Sequence, residues 1–195
     1  MQINGPVTPP AAANVVGPVP CLPVPGEVTV FGPDVTAHVA VPKLVYCTAV
    51  FLFDPASGAR AMMHYNPMVG PRDPATFAWF ARVLIEKYNA QAAALTVALF
   101  NNTTSSNGRA FPPTMYKTDR VKALLEHGFG AAHGNMAATH YTFAGTIGLM
   151  DAAGAVSGCP GPDIQGGVRA ARMNWVKATP NTAAPQGDFL ARPTV

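Results

Sequence analysis

The stretch Leu44–Pro67, LVYCTAVFLFDPASGARAMMHYNP, decides how this chain reads. It holds two apolar runs of strand length on either side of Asp54-Pro55-Ala56-Ser57-Gly58, a cluster of turn formers that predicts a β-hairpin. Cys47 lies near the start of the first run and His64 near the end of the second. A four-residue loop over Asp54–Ser57, with Pro55 at the second position of a type I turn, pairs Phe53 with Gly58. In that register Cys47 faces His64 directly, with Cβ atoms about 5 Å apart, so a thiol and an imidazole can share a proton. A slip of one residue would put Tyr65 opposite Cys47 and turn His64 to the other face.

Around the hairpin, 195 residues suit one domain. Only 12% are charged, against about 25% in ordinary domains, and the 20 prolines and 18 glycines argue for short elements joined by turns. The net charge of +3 is spread without a basic run, which argues against a nucleic-acid partner. No apolar run is long enough for a membrane span. The first residues lack the basic and apolar regions of a cleavable signal peptide. That points to a chain that stays cytoplasmic as made, with export by a signal-independent route left open. Cys21, Cys47 and Cys159 lack metal-ligand spacing and cannot complete a disulfide framework. Pairing of Cys21 with Cys159 under oxidation stays open. Neither a metal nor another cofactor is expected, and the sequence says nothing of oligomeric state.

In chain order, residues 1–26 are Pro-rich and are expected as an N-terminal arm. Residues 27–178 form the domain, and 179–195 a loosely structured tail. Strands are predicted at Glu27–Phe31, Val35–Val41, Leu95–Phe100, Thr139–Phe143, Thr146–Met150 and around Val168–Val176. One helix starts with Asp73 as N-cap and Pro74 as first residue, its apolar stripe being Phe77, Phe80, Ala81, Leu84 and Tyr88. A second runs from Thr118 to a stop at Gly128. Asn101–Gly108 is expected as a polar loop and Gly158–Gly161 as an exposed turn. His133 and His140 are candidates for lining a cleft, and Arg169, Arg172 and Lys177 for a solvated face. The class is α+β: mixed sheet with helices on its outer faces.

A cysteine in an apolar strand is usually a small core hydrophobe, and a lone buried histidine is usually structural. Their placement across one hairpin favours a nucleophile and its base. At these positions the chain resembles the CheD family of chemoreceptor glutamine deamidases: Cys47, Val50, Leu52, Asp54-Pro55, Met62 and His64 match its strand cysteine, Asp-Pro turn and Met-x-His ending. The resemblance covers about residues 44–67. It implies a cysteine hydrolase fold, shared in outline with the catalytic domains of cytotoxic necrotizing factor toxins. It further implies a protein substrate whose glutamine side chain is hydrolysed to glutamate, with loss of ammonia through a thioester. The family's Gly-Ser before the cysteine is Val45-Tyr46 here, and its histidine-orienting threonine falls on Val41. The orienting acceptor would then be a backbone carbonyl at or near Val41, with Thr36 or Thr48 as weaker substitutes. Backbone N–H groups near Cys47, including that of Thr48, would serve the oxyanion, with Asn66 and Asn101 as weaker side-chain candidates. Alternatives are another thiol hydrolase (a peptidase, amidase or transglutaminase), a secreted effector that deamidates a host or competitor protein, and a non-catalytic binding protein.

Overall fold

The computed structural model describes residues 1–12, 15, 17–67, 73–104, 109–112, 118–160, 174–178 and 187–190. Strands β1 (Gln2–Val7), β2 (Pro18–Cys21), β3 (Val28–Phe31), β4 (Val39–Val41), β5 (Thr48–Phe53) and β6 (Arg60–Tyr65) precede helix α1 (Asp73–Arg82). Strand β7 (Thr96–Asn102) leads to helix α2 (Thr118–Phe129), and β8 (Ala137–Phe143), β9 (Gly145–Met150), β10 (Val156–Pro160), β11 (Asn174–Lys177) and β12 (Asp188–Leu190) complete the fold. Seven strands form one sheet in the order β1-β8-β7-β5-β6-β3-β12, and five form a second in the order β10-β9-β4-β2-β11. Both mix parallel and antiparallel pairs, and the class is α+β.

Strand alternation sorts the larger sheet's residues between two layers. Val28, Val50, Leu52, Met63, Val97 and Leu99 pack against Phe77, Phe80, Leu84, Leu124 and Leu125 of the helical side. Cys47, Ala49, Phe51, Met62, Ala98 and Phe100 pack instead against Val39, Val41 and Met150 of the smaller sheet. Helices therefore cover one face of the large sheet and the second sheet covers the other. Gly128 does not stop α2. A Cβ there would lie 2.7 Å from the Phe77 carbonyl oxygen, so its bareness lets α2 close on α1. The turn to positive φ comes at Gly130 (58°).

Residues 1–26 are not an arm. They supply β1, parallel to β8, and β2, parallel to β4 and β11. Polyproline-like composition and an extended strand share nearly the same backbone, and prolines are tolerated near sheet edges. The tail also contributes, since β12 pairs with β3. Within the predicted strand Val35–Val41 only Val39–Val41 is paired. The predicted turn at Gly158 is strand β10, with Cys159 buried, and Asn101 and Asn102 extend β7. Positions 105–108 and 161, together with Arg169 and Arg172, lie outside the described residues. Cys21 and Cys159 sit on β2 and β10, three strand positions apart, or about 14 Å at the usual interstrand spacing. That is too far for a disulfide between them. Among the described residues no helix is long and apolar enough to cross a membrane.

Candidate functional site

The hairpin loop is displaced by one residue from the predicted one. Phe53 pairs with Arg60, and the Asp54 N–H donates to the Ala59 carbonyl at 2.9 Å. Pro55–Gly58 are thus the loop. The Asp54 carboxylate accepts the Ser57 N–H at 2.9 Å, and the Asp54 carbonyl accepts that of Gly58 at 2.8 Å. Gly58 stands at φ 73°, a conformation that costs glycine little and belongs in the loop rather than the ladder. Moving the loop by one residue moves the register by two, so every side chain keeps its face. His64 is therefore opposite Ala49, and Cys47 lies diagonally across on the same face, in the layer between the sheets.

His64 is held by residues 22–27. Val24-Pro25-Gly26-Glu27 make a turn closed by the Glu27 N–H to the Val24 carbonyl at 3.3 Å, with Gly26 at φ 92°. Proline followed by a positive-φ glycine is the pattern of a type II turn. The Gly26 N–H donates to the His64 carbonyl at 2.7 Å and the His64 N–H to the Glu27 carbonyl at 3.0 Å. Two residues thus oppose one, with glycine first, as in a G1 bulge. The imidazole Nδ1–H then donates to the Leu22 carbonyl at 2.9 Å. This corrects the assignment to Val41. The orienting group is a backbone carbonyl, but Val41 pairs with Gly148 in the second sheet, while the chain leaving β2 passes over His64.

That bond fixes the tautomer, leaving the Nε2 lone pair as acceptor. Nε2 is buried and has no hydrogen-bond partner among the described residues, the Cys47 thiol included. Burial draws the His64 pKa down to about 4; the Leu22 bond opposes this, and the Lys43 charge adds to it. Burial likewise pushes the Cys47 thiol up to about 11. At neutral pH the pair rests as thiol and neutral imidazole.

Thr48 and Asn101 lie on the other face of the sheet. Asn101 Nδ2 donates to Thr48 Oγ1 at 2.7 Å, and His140 Nε2–H donates to Asn101 Oδ1 at 2.9 Å. This buried row holds the start of β5 on the helical side, so neither the Asn101 amide nor the Thr48 hydroxyl reaches the Cys47 side. His140 belongs to this row, and His133 bonds the Gly130 carbonyl. Asn66 follows β6 and is half-buried on the His64 face by alternation.

Two residues were not foreseen. Glu27 is buried and sits across the bulge from His64. An acidic residue directly before the apolar run VTVF was the available signal. Asn102, at the end of β7, follows Ala98 and Phe100 onto the Cys47 face. Its neighbours Thr103 and Phe143 help line a cavity of about 440 Å³, shared with Thr8, Pro9, Thr142 and Gly158. No group of three or more potential metal ligands occurs among the described residues.

No family model matches this chain, and no curated protein does. Among solved structures it is similar to the Bacillus licheniformis hypothetical protein YfiH, at 12% identity and TM-score 0.32, over 52% of this chain and 46% of that one. It is similar as well to the Neisseria meningitidis protein NMB0706, of family-model DUF152, at 12% identity and TM-score 0.33, over 58% of this chain and 52% of that one. The chain thus spans about half the length of these structures. The resemblance to CheD is overturned, since no family model matches and the similar structures are YfiH and DUF152 proteins. Physically, Val50, Leu52 and Met62 are apolar because both faces of this sheet are covered, and Asp54-Pro55 serve the turn. Such features recur in any buried hairpin, which leaves Cys47 and His64 as the part of the motif with chemical content.

Proposed function

We propose that this chain is a cysteine hydrolase in which His64 activates Cys47, and that its reaction is hydrolysis of a glutamine side-chain carboxamide of a protein to glutamate and ammonia. The observation that carries the dyad is the His64 Nε2, an acceptor of fixed tautomer, fully buried, and on the same face as the thiol. Buried polar atoms are nearly always paired, and an exception calls for a role. In this reading Nε2 takes the thiol proton as sulfur bonds to the carboxamide carbon, and the imidazolium returns it to the departing ammonia. Water then cleaves the thioester, with His64 as base. With burial raising the thiol to about 11 and lowering the imidazole to about 4, proton transfer ahead of attack is disfavoured. The proton therefore moves as the C–S bond forms.

A non-catalytic binding protein is the second reading, favoured by the absence of a Cys47–His64 hydrogen bond in this conformation. Iodoacetamide separates the two. Cys21, Cys47 and Cys159 are buried to similar degrees, with exposures of 4%, 8% and 6%, so access alone does not single out Cys47. Activation by His64 is expected to make Cys47 react at least about tenfold faster than the others, and His64→Ala to remove that advantage. Equal rates at all three thiols would favour the binding protein. Ammonia release from candidate proteins, abolished by Cys47→Ala, tests the deamidase assignment itself.

A further inference from the structure

We infer that Asn102, through its Nδ2 amide, is the oxyanion donor of the Cys47 site. The assignment rests on the hydrolase reading above. Thr48 pairs with Asn101, and the same register continued by one residue sets Cys47 across from Asn102. Cross-strand neighbours on one face have Cβ atoms about 5 Å apart. Asn102 is 3% exposed. The Thr104 N–H donates to its Oδ1 at 2.9 Å and the Thr104 hydroxyl does so at 3.3 Å. Since a backbone N–H requires an acceptor, these bonds settle which end of the amide is oxygen. They also hold the side chain in place and leave both Nδ2 hydrogens unused among the described residues. Asn101, its neighbour in sequence, has both ends of its amide engaged on the opposite face.

The chemistry calls for such a group. When the Cys47 sulfur bonds to an acyl carbon, the carbonyl π pair moves onto oxygen, and a fixed donor in a dry site stabilises that charge. On collapse the pair reforms the carbonyl, the bond to the leaving group breaks, and the leaving group takes the proton held by His64. Asn102 makes no new covalent bond in either step. Its sequence neighbour Thr103 and its own cross-strand partner Phe143 help line the cavity. Among the described residues no charged side chain lines that cavity.

The test uses p-nitrophenyl acetate as acyl probe and iodoacetamide as control. Acylation passes through an oxyanion, whereas alkylation by iodoacetamide displaces iodide and forms none. Asn102→Ser keeps an oxygen acceptor for the Thr104 N–H and loses the amide donor; Asn102→Ala loses both. The burst rate of p-nitrophenolate release is expected to fall about 10²-fold in each variant, while alkylation of Cys47 stays within about twofold. An acylation rate within about threefold of the parent, in a variant that melts with it, would overturn the assignment. So would a parallel fall in both rates, which would mean that Asn102 positions Cys47 rather than the oxyanion. Absence of selective Cys47 alkylation in the parent chain would instead overturn the hydrolase reading, and the role of Asn102 with it.

Discussion

Lowering the pH should destabilise this protein through His64. In the folded chain its pKa is about 4, against an ordinary value of 6.5, because the ring is buried. Between those values the unfolded chain binds a proton that the folded chain refuses. Stability therefore rises with pH across this window: the contribution is complete above about pH 6.5 and is lost as pH falls toward 4. The depression corresponds to roughly 3 kcal/mol, a large share of the ~5–15 kcal/mol by which domains are stable. The control is His64→Asn, whose amide can donate to the Leu22 carbonyl as Nδ1 does but does not titrate. Urea unfolding of both chains at steps from pH 7 to pH 4.5 gives the two stability profiles. His140, also lowered by burial, is present in both chains and cancels in their difference. The parent should lose at least about 2 kcal/mol more than the variant over that range. Parallel profiles would show that His64 is not held as a neutral, desolvated ring, and the fixed-tautomer argument would fall with that result.

Three further outcomes follow from named contacts. Gly26→Ala forces a Cβ onto a residue at φ 92°, so the bulge beneath His64 should cost about 1–2 kcal/mol, visible as a lowered urea midpoint. Asn101→Ala leaves the Thr48 and His140 groups without their shared partner. A loss of about 1–3 kcal/mol is expected, with the alkylation rate of Cys47 unchanged because the row lies on the far face. Phe100→Ala empties the centre of the inter-sheet layer, where Phe100 stacks on Tyr141 at 4.9 Å and meets Phe51 and Phe143 edge-on. About 3–5 kcal/mol should be lost in the same unfolding assay.

Periodicity and turn chemistry were legible where local forces decide. The Asp73-Pro74 start, the Phe77–Phe80–Leu84 stripe and the two hairpin strands each depend on a few adjacent residues, and each is found near its expected place. The face shared by Cys47 and His64 was legible for a related reason. A loop displaced by one residue changes the register by an even number, so an error in the turn leaves facing intact. Gly58 could have corrected even that, since a glycine after Ser57 offers the positive φ that closes the loop. Whether Asn101 or Asn102 shares a face with Cys47 was not legible. That depends on how β7 pairs with β5, a contact between strands separated by a helix, and a one-residue difference there reverses the outcome.

The N-terminal residues show a different limit. Their prolines read locally as an extended, unpaired segment, and their place in the fold depends on strands far along the chain: β8 for residues 2–7, β4 and β11 for residues 18–21. Yet the chemistry of His64 is set there. Cys47 and His64 come from the large sheet, while the Leu22 carbonyl that assigns the proton to Nδ1 comes from the end of β2 in the small one. The Pro25-Gly26 turn then returns the chain to the large sheet at Glu27, bonding the His64 backbone on the way. Six consecutive residues therefore tie the two sheets together at the imidazole. The lone pair on Nε2 points toward the thiol's face only while both sheets are docked, so loosening the small sheet should disable the dyad before the hairpin itself is lost.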